Sequence, residues 1–488
     1  MIEKGLYPEV LKLALVIPVH KTGPEDVRSN YRPISLMAII GKVFEALLNA
    51  QLMQHCIKYA LLSPRHYGYR PGSTTVLCLQ AVINRVLSEI RKGRKVCNIY
   101  MDLSKAYDTI AHTILLDRIS KQFNFSSIAT KLLHAYLTNR KQITETGQAQ
   151  SDTKNITYGI PQGGVLSTTL FILYTNDIDE EIEKKRAERR GEKEDEQGGV
   201  YAYADDASTT IDCNTIIGLT KEVNQTVKDL VSYYASLSLV PNMSKTNIQL
   251  FNKNTQIQVE IEGTQLQCRD KVSLLGITIQ KNLQHQASAH RCRSKVMPLL
   301  LQMRYAKSYL TTNQLLTLYN TQVIPRITYA ITIWGSDKEN PTYLQQLKKT
   351  MKAFARIIAK QGKRAHTEPI RKEYKLLTLR SLYIQQVCME MYPYVRNQLK
   401  TPPPEHHHNY NPSQEVHEHR TRRAARQLLF VPQTVNRNRR APIKALAPLH
   451  SKYAQIWNAL PDSIRLKTED TRGSFRQKLT NYLLQHQR

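Results

Sequence analysis

Three aspartates have the type and placement for chemistry on a charged substrate. Asp102 ends the run VCNIYMD (96–102). Asp205 and Asp206 stand together in YADD (203–206), between two β-prone stretches. Adjacent acids repel each other, and a hairpin turn is a poor place to leave that repulsion unrelieved. A divalent cation relieves it: Mg²⁺ takes a few carboxylates, keeps some waters and fills its octahedron with substrate phosphates. Two such ions about 3.5–4 Å apart activate an attacking oxygen and stabilise a leaving one. The reaction class is phosphoryl or nucleotidyl transfer. Taken alone, an Asp-Asp pair in a turn is more commonly a capping pair. Asp108 reads as structural, inside a helix following Asp102.

The elements that must carry these residues can be read from periodicity. Leu13–Val19 reads as a strand ending at Pro18, and KTGPEDVRSNYRP (21–33) as a polar loop. Residues 34–55 carry Ile39, Ile40, Val43, Phe44, Leu47 and Leu48 at helical spacing. A helix over 74–90 is opened by Ser/Thr at its cap. Strand 96–102 then leads to a helix over 104–119. The turn GIPQGG (159–164) leads to an apolar helix over 165–178. The charge run 180–199 reads as a solvated helix or flexible insert. Strands around 200–211 are followed by a helix over 219–237 and strands at 246–251, 257–261 and 272–279. Amphipathic helices follow over 288–309, 312–333, 343–360 and 379–399. TPPPEHHHNYNPSQ (401–414) reads as a linker, and 419–442 is Arg-rich.

Composition narrows the partners. The 488 residues carry 69 Lys+Arg against 40 Asp+Glu, a net charge of +29. Residues 1–280 hold 33 basic and 29 acidic side chains (+4), and residues 281–488 hold 36 and 11 (+25). So large a basic excess calls for a polyanion, either nucleic acid or an anionic surface. No apolar run reaches the roughly 20 residues of a membrane span. The apolar stretch 10–19 is interrupted by Lys12 and lacks a basic lead, so a strand is preferred to a signal peptide. Seven scattered cysteines without a CxxC pair indicate neither a disulfide framework nor a Cys-type zinc site, and fit a reducing intracellular compartment, cytoplasm or nucleus. The histidines at 406–408, 417 and 419 lack cysteine companions and read as linker.

In order, the motifs are LALVIPVHKTGPEDVRSNYRPISLM (13–37), YGYRPGSTT (67–75), YMDLSKAYD (100–108), GIPQGGVLS (159–167), YADD (203–206), PNMSKTN (241–247) and LLGITI (274–279). This series resembles the reverse transcriptases of non-LTR, LINE-type retrotransposons of the jockey/CR1 kind, over about residues 8–280 and more loosely beyond. The resemblance implies an α+β right-hand polymerase fold with a basic C-terminal extension. Its parts would be fingers over 1–95, a palm with antiparallel sheet and interleaved fingers over 96–280, a helical thumb over 281–400, a linker over 401–418 and a basic region over 419–488.

It also implies roles. Asp102, Asp205 and Asp206 match the ligands of two Mg²⁺ ions, with Mn²⁺ as a substitute. Lys245 matches the lysine proposed to protonate leaving pyrophosphate. Tyr107 matches the aromatic that closes on the sugar 2′ position and favours dNTPs. Gln162 matches the glutamine near the incoming nucleotide, where Gly163 and Gly164 permit close backbone approach. Lys21 and Arg32 match basic fingers positions facing the triphosphate. The implied activity is RNA-directed DNA polymerisation on an RNA template and DNA primer. The alternative is a catalytically decayed or domesticated RNA-binding relative. The endonuclease that usually precedes such a polymerase is expected to be missing or supplied in trans, as is an RNA-binding protein of the element.

The sequence departs from the family pattern in places. Ser167 is followed by Thr168 and Thr169 instead of Pro, Leu274 replaces Tyr, Pro241 replaces an apolar residue, and Tyr100 and Tyr107 replace the commoner Phe. Behind the motifs, thumb cations would grip duplex phosphates. Trp457 and Leu460 are expected in a small core.

Overall fold

The computed structural model describes residues 3–147, 149–191, 199–251, 257–261, 263–338, 341–395, 449–465 and 471–486. The expected linker, the Arg-rich run 419–442 and part of the charge run (192–198) lie outside the described residues. The chain forms two compact units. One comprises Met1–Cys78, Lys95–Leu250 and Asn254–Arg269; the other comprises Leu79–Arg94, Phe251–Lys253 and Asp270–Arg488.

The first unit opens with β1 (Leu13–His20) and β2 (Tyr31–Leu36), antiparallel from Leu15↔Leu36 to His20↔Tyr31. β1 runs on past Pro18, which lies opposite Pro33, to His20. Residues 34–36, expected in a helix, instead pair with β1, so α1 begins at Ile39 and ends at Lys58. The apolar residues read at helical spacing split between two sides of α1. Ile39, Ile40, Val43 and Leu47 are exposed, whereas Leu48, Leu52, Met53 and Cys56 are buried. The spacing specified a helix but not which side met the core. α2 (Thr75–Arg91) follows near its expected place.

The central sheet has the order β14-β11-β3-β9-β8. β3 (Lys95–Met101) alternates: Cys97, Ile99 and Met101 enter the main core, while Asn98, Tyr100 and Asp102 occupy the other face. The helix expected over 104–119 starts only at His112. β4 (Leu103–Ser104) is drawn into pairing with a later strand, and Lys105 turns the chain with φ 49°. Tyr107 and Asp108 therefore sit in a turn, and α3 is His112–Gln122. α4 (Ser127–Leu137) packs its buried face into the same core, and β5 (Arg140–Thr146) runs parallel to β1, flanked by β6 (Ala149–Gln150) and β7 (Lys154–Ile156).

After α5 (Ser167–Tyr174), the charge run folds as α6 (Ile178–Arg190). It is not simply solvated. Ile182 and Arg186 are buried, Arg186 pairs with Glu183 at 2.9 Å, and Arg189 reaches Glu222 (2.8 Å) and Asp229 (2.6 Å) on α7, Ile216–Ser236. Between α6 and α7 lie β8 (Val200–Tyr203) and β9 (Asp206–Cys213). β10 (Val240–Pro241) pairs with β4, and β11 (Asn247–Leu250) joins β3. The short pair β12 (Glu260–Ile261) and β13 (Thr264–Gln265) and then β14 (Gln267–Cys268) complete the unit.

The second unit is mostly helical. The strand expected over 272–279 is a hairpin, β15 (Lys271–Leu274) and β16 (Ile277–Gln280), with Leu275 (φ 44°) and Gly276 (φ 80°) at its turn. Positive φ at both central residues is the geometry that matches strand twist, at a steric cost for Leu. α8 (Gln286–Ala306) packs on α12 (Gln345–Ile358). The helix expected over 312–333 is broken into α9 (Thr312–Leu318), a π-helical turn (Tyr319–Val323), α10 (Ile324–Thr328) and α11 (Ile331–Trp334). Pro325 lacks an amide donor, and Ala330 adopts φ 50°, so the α-helical ladder cannot pass. α13 (Thr367–Glu373) leads to α14 (Leu379–Val395). Helices Leu449–Asn458 and Arg472–His486 pack on α14, with Trp457 and Leu460 buried and the Trp457 ring 5.6 Å from Phe475. All seven cysteines are free thiols. Among the described residues, no helix is long and apolar enough to cross a membrane.

Candidate active site

The site begins with strand register. β3 and β9 pair from Lys95↔Cys213 to Met101↔Ala207. One further step along this register sets Asp102 opposite Asp206, on the face shared with Tyr100 and Ser208. β8 and β9 meet at Tyr203↔Asp206, so Ala204 and Asp205 form a two-residue turn, with Ala204 at φ 57°. The segment 65–68 braces this turn. The Tyr67 amide donates to Ala202 O (2.7 Å) and the Ala202 amide to Arg65 O (3.0 Å). Gly68 lies so close that a Cβ there would stand 2.6 Å from the Ala204 nitrogen. The glycine of YGYR is thus a clearance for the aspartate hairpin.

Electrostatics confirm the proximity. Asp206 is pushed up to about 6, first by the protein crowded around it, then by Asp205 and Asp102, with Lys21 opposing. Its carboxylate still meets solvent, which screens part of this effect. Asp102 is also raised, by desolvation first, with Asp205 adding to the rise and Lys245 and Lys21 opposing it. Lys245 Nζ stands 3.9 Å from Asp102 Oδ2. The loop carrying it is tied to the end of β3: the Asn242 amide donates to Asp102 O (2.7 Å), and the Asp102 amide donates to Thr246 Oγ1 at 3.4 Å. Pro241 sits across from Leu103 within this short pairing.

A second turn frames the other side. The Gly159 amide donates to Ile110 O and the Ile160 amide to Tyr107 O, both at 2.8 Å. The Gln162 side chain donates to Asp108 Oδ1 (3.3 Å), and its carbonyl accepts from the Ser35 amide (2.7 Å). At Gly163 (φ 111°) a Cβ would come within 3.0 Å of Ser35 O. Gly164 is packed by Ser167 and Glu45. Buried Glu45 accepts from the amides of Val165 (2.8 Å) and Leu166 (3.3 Å) and from the Tyr136 hydroxyl (3.1 Å), anchoring the turn to α1. Thr169, where the family has a different pattern, donates to Asn49 on the same helix at 2.5 Å. Tyr100 uses its extra hydroxyl to donate to Gln249 (3.0 Å).

Tyr107 stacks on Phe171 with centroids 5.1 Å apart. Burial raises its hydroxyl pKa first; Tyr69, by charge and hydrogen bond, and Asp205 add to the rise. The fold therefore gathers Asp102, Asp205, Asp206, Lys245, Lys21 and Tyr107 into one electrostatic neighbourhood. Gln162 and Gly163 lie along its rim at Asp108 and Ser35. Arg32 stands on β2 opposite Val19, exposed. Sequence reasoning passed over three neighbours. Tyr69 (φ 52°) has its ring 6.1 Å from Tyr203 and its hydroxyl at Tyr107; Thr246 receives the Asp102 amide; Glu45 holds the glutamine turn. Tyr69 lies within YGYRPG and Thr246 within PNMSKTN, so two of the three carried a motif signal.

The donor set is all carboxylate oxygen, which suits a hard divalent cation. Among the described residues no group of three or more Asp, Glu, His or Cys side chains is placed to hold a metal ion by itself. Any ion held here would have to draw most of its ligands from water and substrate phosphates.

Residues 19–279 match the family described as Reverse transcriptase (RNA-dependent DNA polymerase). Similar curated proteins include the probable RNA-directed DNA polymerase from transposon BS of Drosophila melanogaster, 26% identical over 70% of this chain and 38% of its own length. The RNA-directed DNA polymerase from mobile element jockey of the same species is 23% identical over 69% of this chain and 36% of its own length. The chain thus spans under two fifths of these relatives. Among solved structures, telomerase from Candida albicans in complex with a TWJ fragment of telomeric RNA aligns with a TM-score of 0.44 and 11% identity, over 76% of this chain and 65% of that one. The family match takes in the motifs from 67–75 to 274–279 whole and most of 13–37, and the chain belongs to the reverse transcriptase (RNA-dependent DNA polymerase) family.

Proposed function

We propose that this chain is an RNA-directed DNA polymerase that adds dNTPs to a primer 3′-OH on an RNA template. The observation that carries this is the convergence of Asp102, Asp205 and Asp206 at the ends of adjacent strands, where Asp205 adds to the raised pKa of both Asp102 and Asp206. Two Mg²⁺ ions, or Mn²⁺, held by these carboxylates would supply activation of the attacking oxygen and charge stabilisation at the leaving one. The bond formed joins the primer 3′ oxygen to the α-phosphorus; the bond broken releases pyrophosphate.

The chain's own groups do the rest. Lys245 Nζ donates a proton to the leaving pyrophosphate oxygen. The Tyr107 ring, backed by Phe171, occupies the space a ribose 2′-OH would need. Gln162 and Gly163 present the backbone against which the incoming nucleotide seats. Lys21 and Arg32 contact the triphosphate. In this reading the first residues supply fingers, 96–280 the palm and 281–400 a thumb. The substrates are an RNA template, a DNA primer and dNTPs. An endonuclease or an RNA-binding protein of the element acts in trans.

Primer extension on poly(rA)/oligo(dT) with Mg²⁺ tests this. Wild type incorporates dTTP and Asp205→Asn does not. A folded wild type that binds the hybrid and incorporates nothing would leave the decayed, RNA-binding alternative.

A further inference from the structure

A second concave site lies wholly within the helical unit. It is a cavity of about 410 Å³, the size range of small-molecule pockets. Its walls come from the β15–β16 turn, α8, the π-helical turn, α10 and the end of α11. Arg291 and Lys295 project from one face of α8, four residues apart, and Arg326 comes from α10. No carboxylate lines the cavity, and among the described residues none pairs with these three cations.

The guanidinium groups are instead positioned by neutral partners. Arg291 Nη1 donates to Ser273 Oγ at 2.8 Å. Arg326 Nη1 donates to the Gln322 carbonyl and to its Oε1 at 3.2 Å. Their positions are set but their charge is not neutralised, so the site favours a ligand bearing an anion. The apolar wall includes Tyr329, which is 38% exposed. Its hydroxyl donates to Leu275 O (2.6 Å), and its own carbonyl accepts from Trp334 Nε1 (2.9 Å). Tyr329 packs on the hairpin where Gly276 leaves room: a Cβ there would reach 3.3 Å from the ring. The backbone irregularities of the region, a π-helical turn and left-handed Ala330, both fall on segments that form this cavity. Such irregularities recur at functional sites.

We propose that this cavity binds a single phosphorylated nucleotide unit. The phosphate would meet Arg291, Lys295 and Arg326, and the base would lie on the Tyr329 ring. The volume exceeds what phosphate alone fills, and the ring offers a stacking face that phosphate does not use. The unit is either a free nucleoside monophosphate or the 5′-phosphorylated end of a strand. The inference does not depend on polymerase activity, because binding is read without divalent cations.

The full chain in EDTA is photolabelled with 8-azido-AMP, and the labelled peptides are identified. Label is expected on the peptide carrying Tyr329. AMP should compete at least tenfold better than adenosine. The double variant Arg291→Gln/Arg326→Gln should lose tenfold or more of the label, while Lys281→Gln, away from the cavity, keeps it. Tyr329→Phe retains label and Tyr329→Leu loses it, which separates stacking from the hydroxyl contact to Leu275. AMP competing as well as a 5′-phosphorylated oligonucleotide identifies the free nucleotide as the ligand; an oligonucleotide competing at least tenfold better than AMP identifies a strand end. Label confined to residues outside 271–334, adenosine competing as well as AMP, or an unchanged double variant would overturn the proposal.

Discussion

The two units use charge in opposite ways. In the first, a few acids are held at strand ends, close enough that Asp205 helps raise the pKa of Asp102 and Asp206, and the sheet register fixes them. In the second, Arg291 and Arg326 extend from helices and are oriented by a serine and a glutamine. The acids create a local electrostatic cost that a cation removes. The arginines keep a charge that an anion can satisfy. A nearly neutral front half and a +25 rear half therefore differ in mechanism as well as in sum.

The sharpest way to break this contrast is to neutralise an acid without changing its shape. Asp205→Asn should lower primer extension by about 10³-fold or more, at several kcal/mol of lost charge stabilisation. Its affinity for a template–primer hybrid, measured by gel shift, should remain near wild type. Weakened hybrid binding would show that the acids also grip substrate and erase the contrast. Lys245→Ala should cost about 10²-fold in rate, in the range of a lost proton donor. An unchanged single-turnover rate would assign Lys245 to packing against Asp102. Tyr107→Ala should raise ribonucleotide use relative to dNTP by about tenfold or more, in keeping with ~1–3 kcal/mol for a steric pocket contact.

Smaller effects concern stability. Asp206 has a raised pKa when folded, so the folded chain binds its proton more tightly than the unfolded chain does. Its stabilising contribution is fully present below the ordinary Asp value and is lost as pH rises through about 6. In EDTA, Asp206→Asn should therefore melt higher than wild type above pH 6 and at the same temperature near pH 3.5. With Mg²⁺ present, activity should fall as pH drops through the same window. A Tm difference independent of pH would remove the acid–acid repulsion from the account. Ile39→Ser, on the exposed face of α1, should change stability by no more than about 0.5 kcal/mol in urea melts.

The aspartate hairpin was legible because a period-two pattern broken by YADD leaves few other solutions. The α1 face was not, since apolar residues on both sides of a helix give spacing without direction. The 104–111 segment read as helix because its β pairing partner, Val240–Pro241, lies more than a hundred residues away. Gln162 was legible as a motif residue, yet its holder, Glu45, is one acid among 40 with no local signal. Long-range partners, not local propensity, separate what the chain discloses from what only the fold does.

The π-helical turn at Tyr319–Val323 amounts to one surplus residue spliced into a helical run. Since each α-helical residue advances about 100° around the axis, it acts as a phase shifter for everything downstream until the next break. Excising a single residue there would swing Arg326 and Tyr329 by about a quarter turn while leaving composition and charge untouched. A drift in length of one codon at this spot would thus be enough to gain or lose the cavity among related chains.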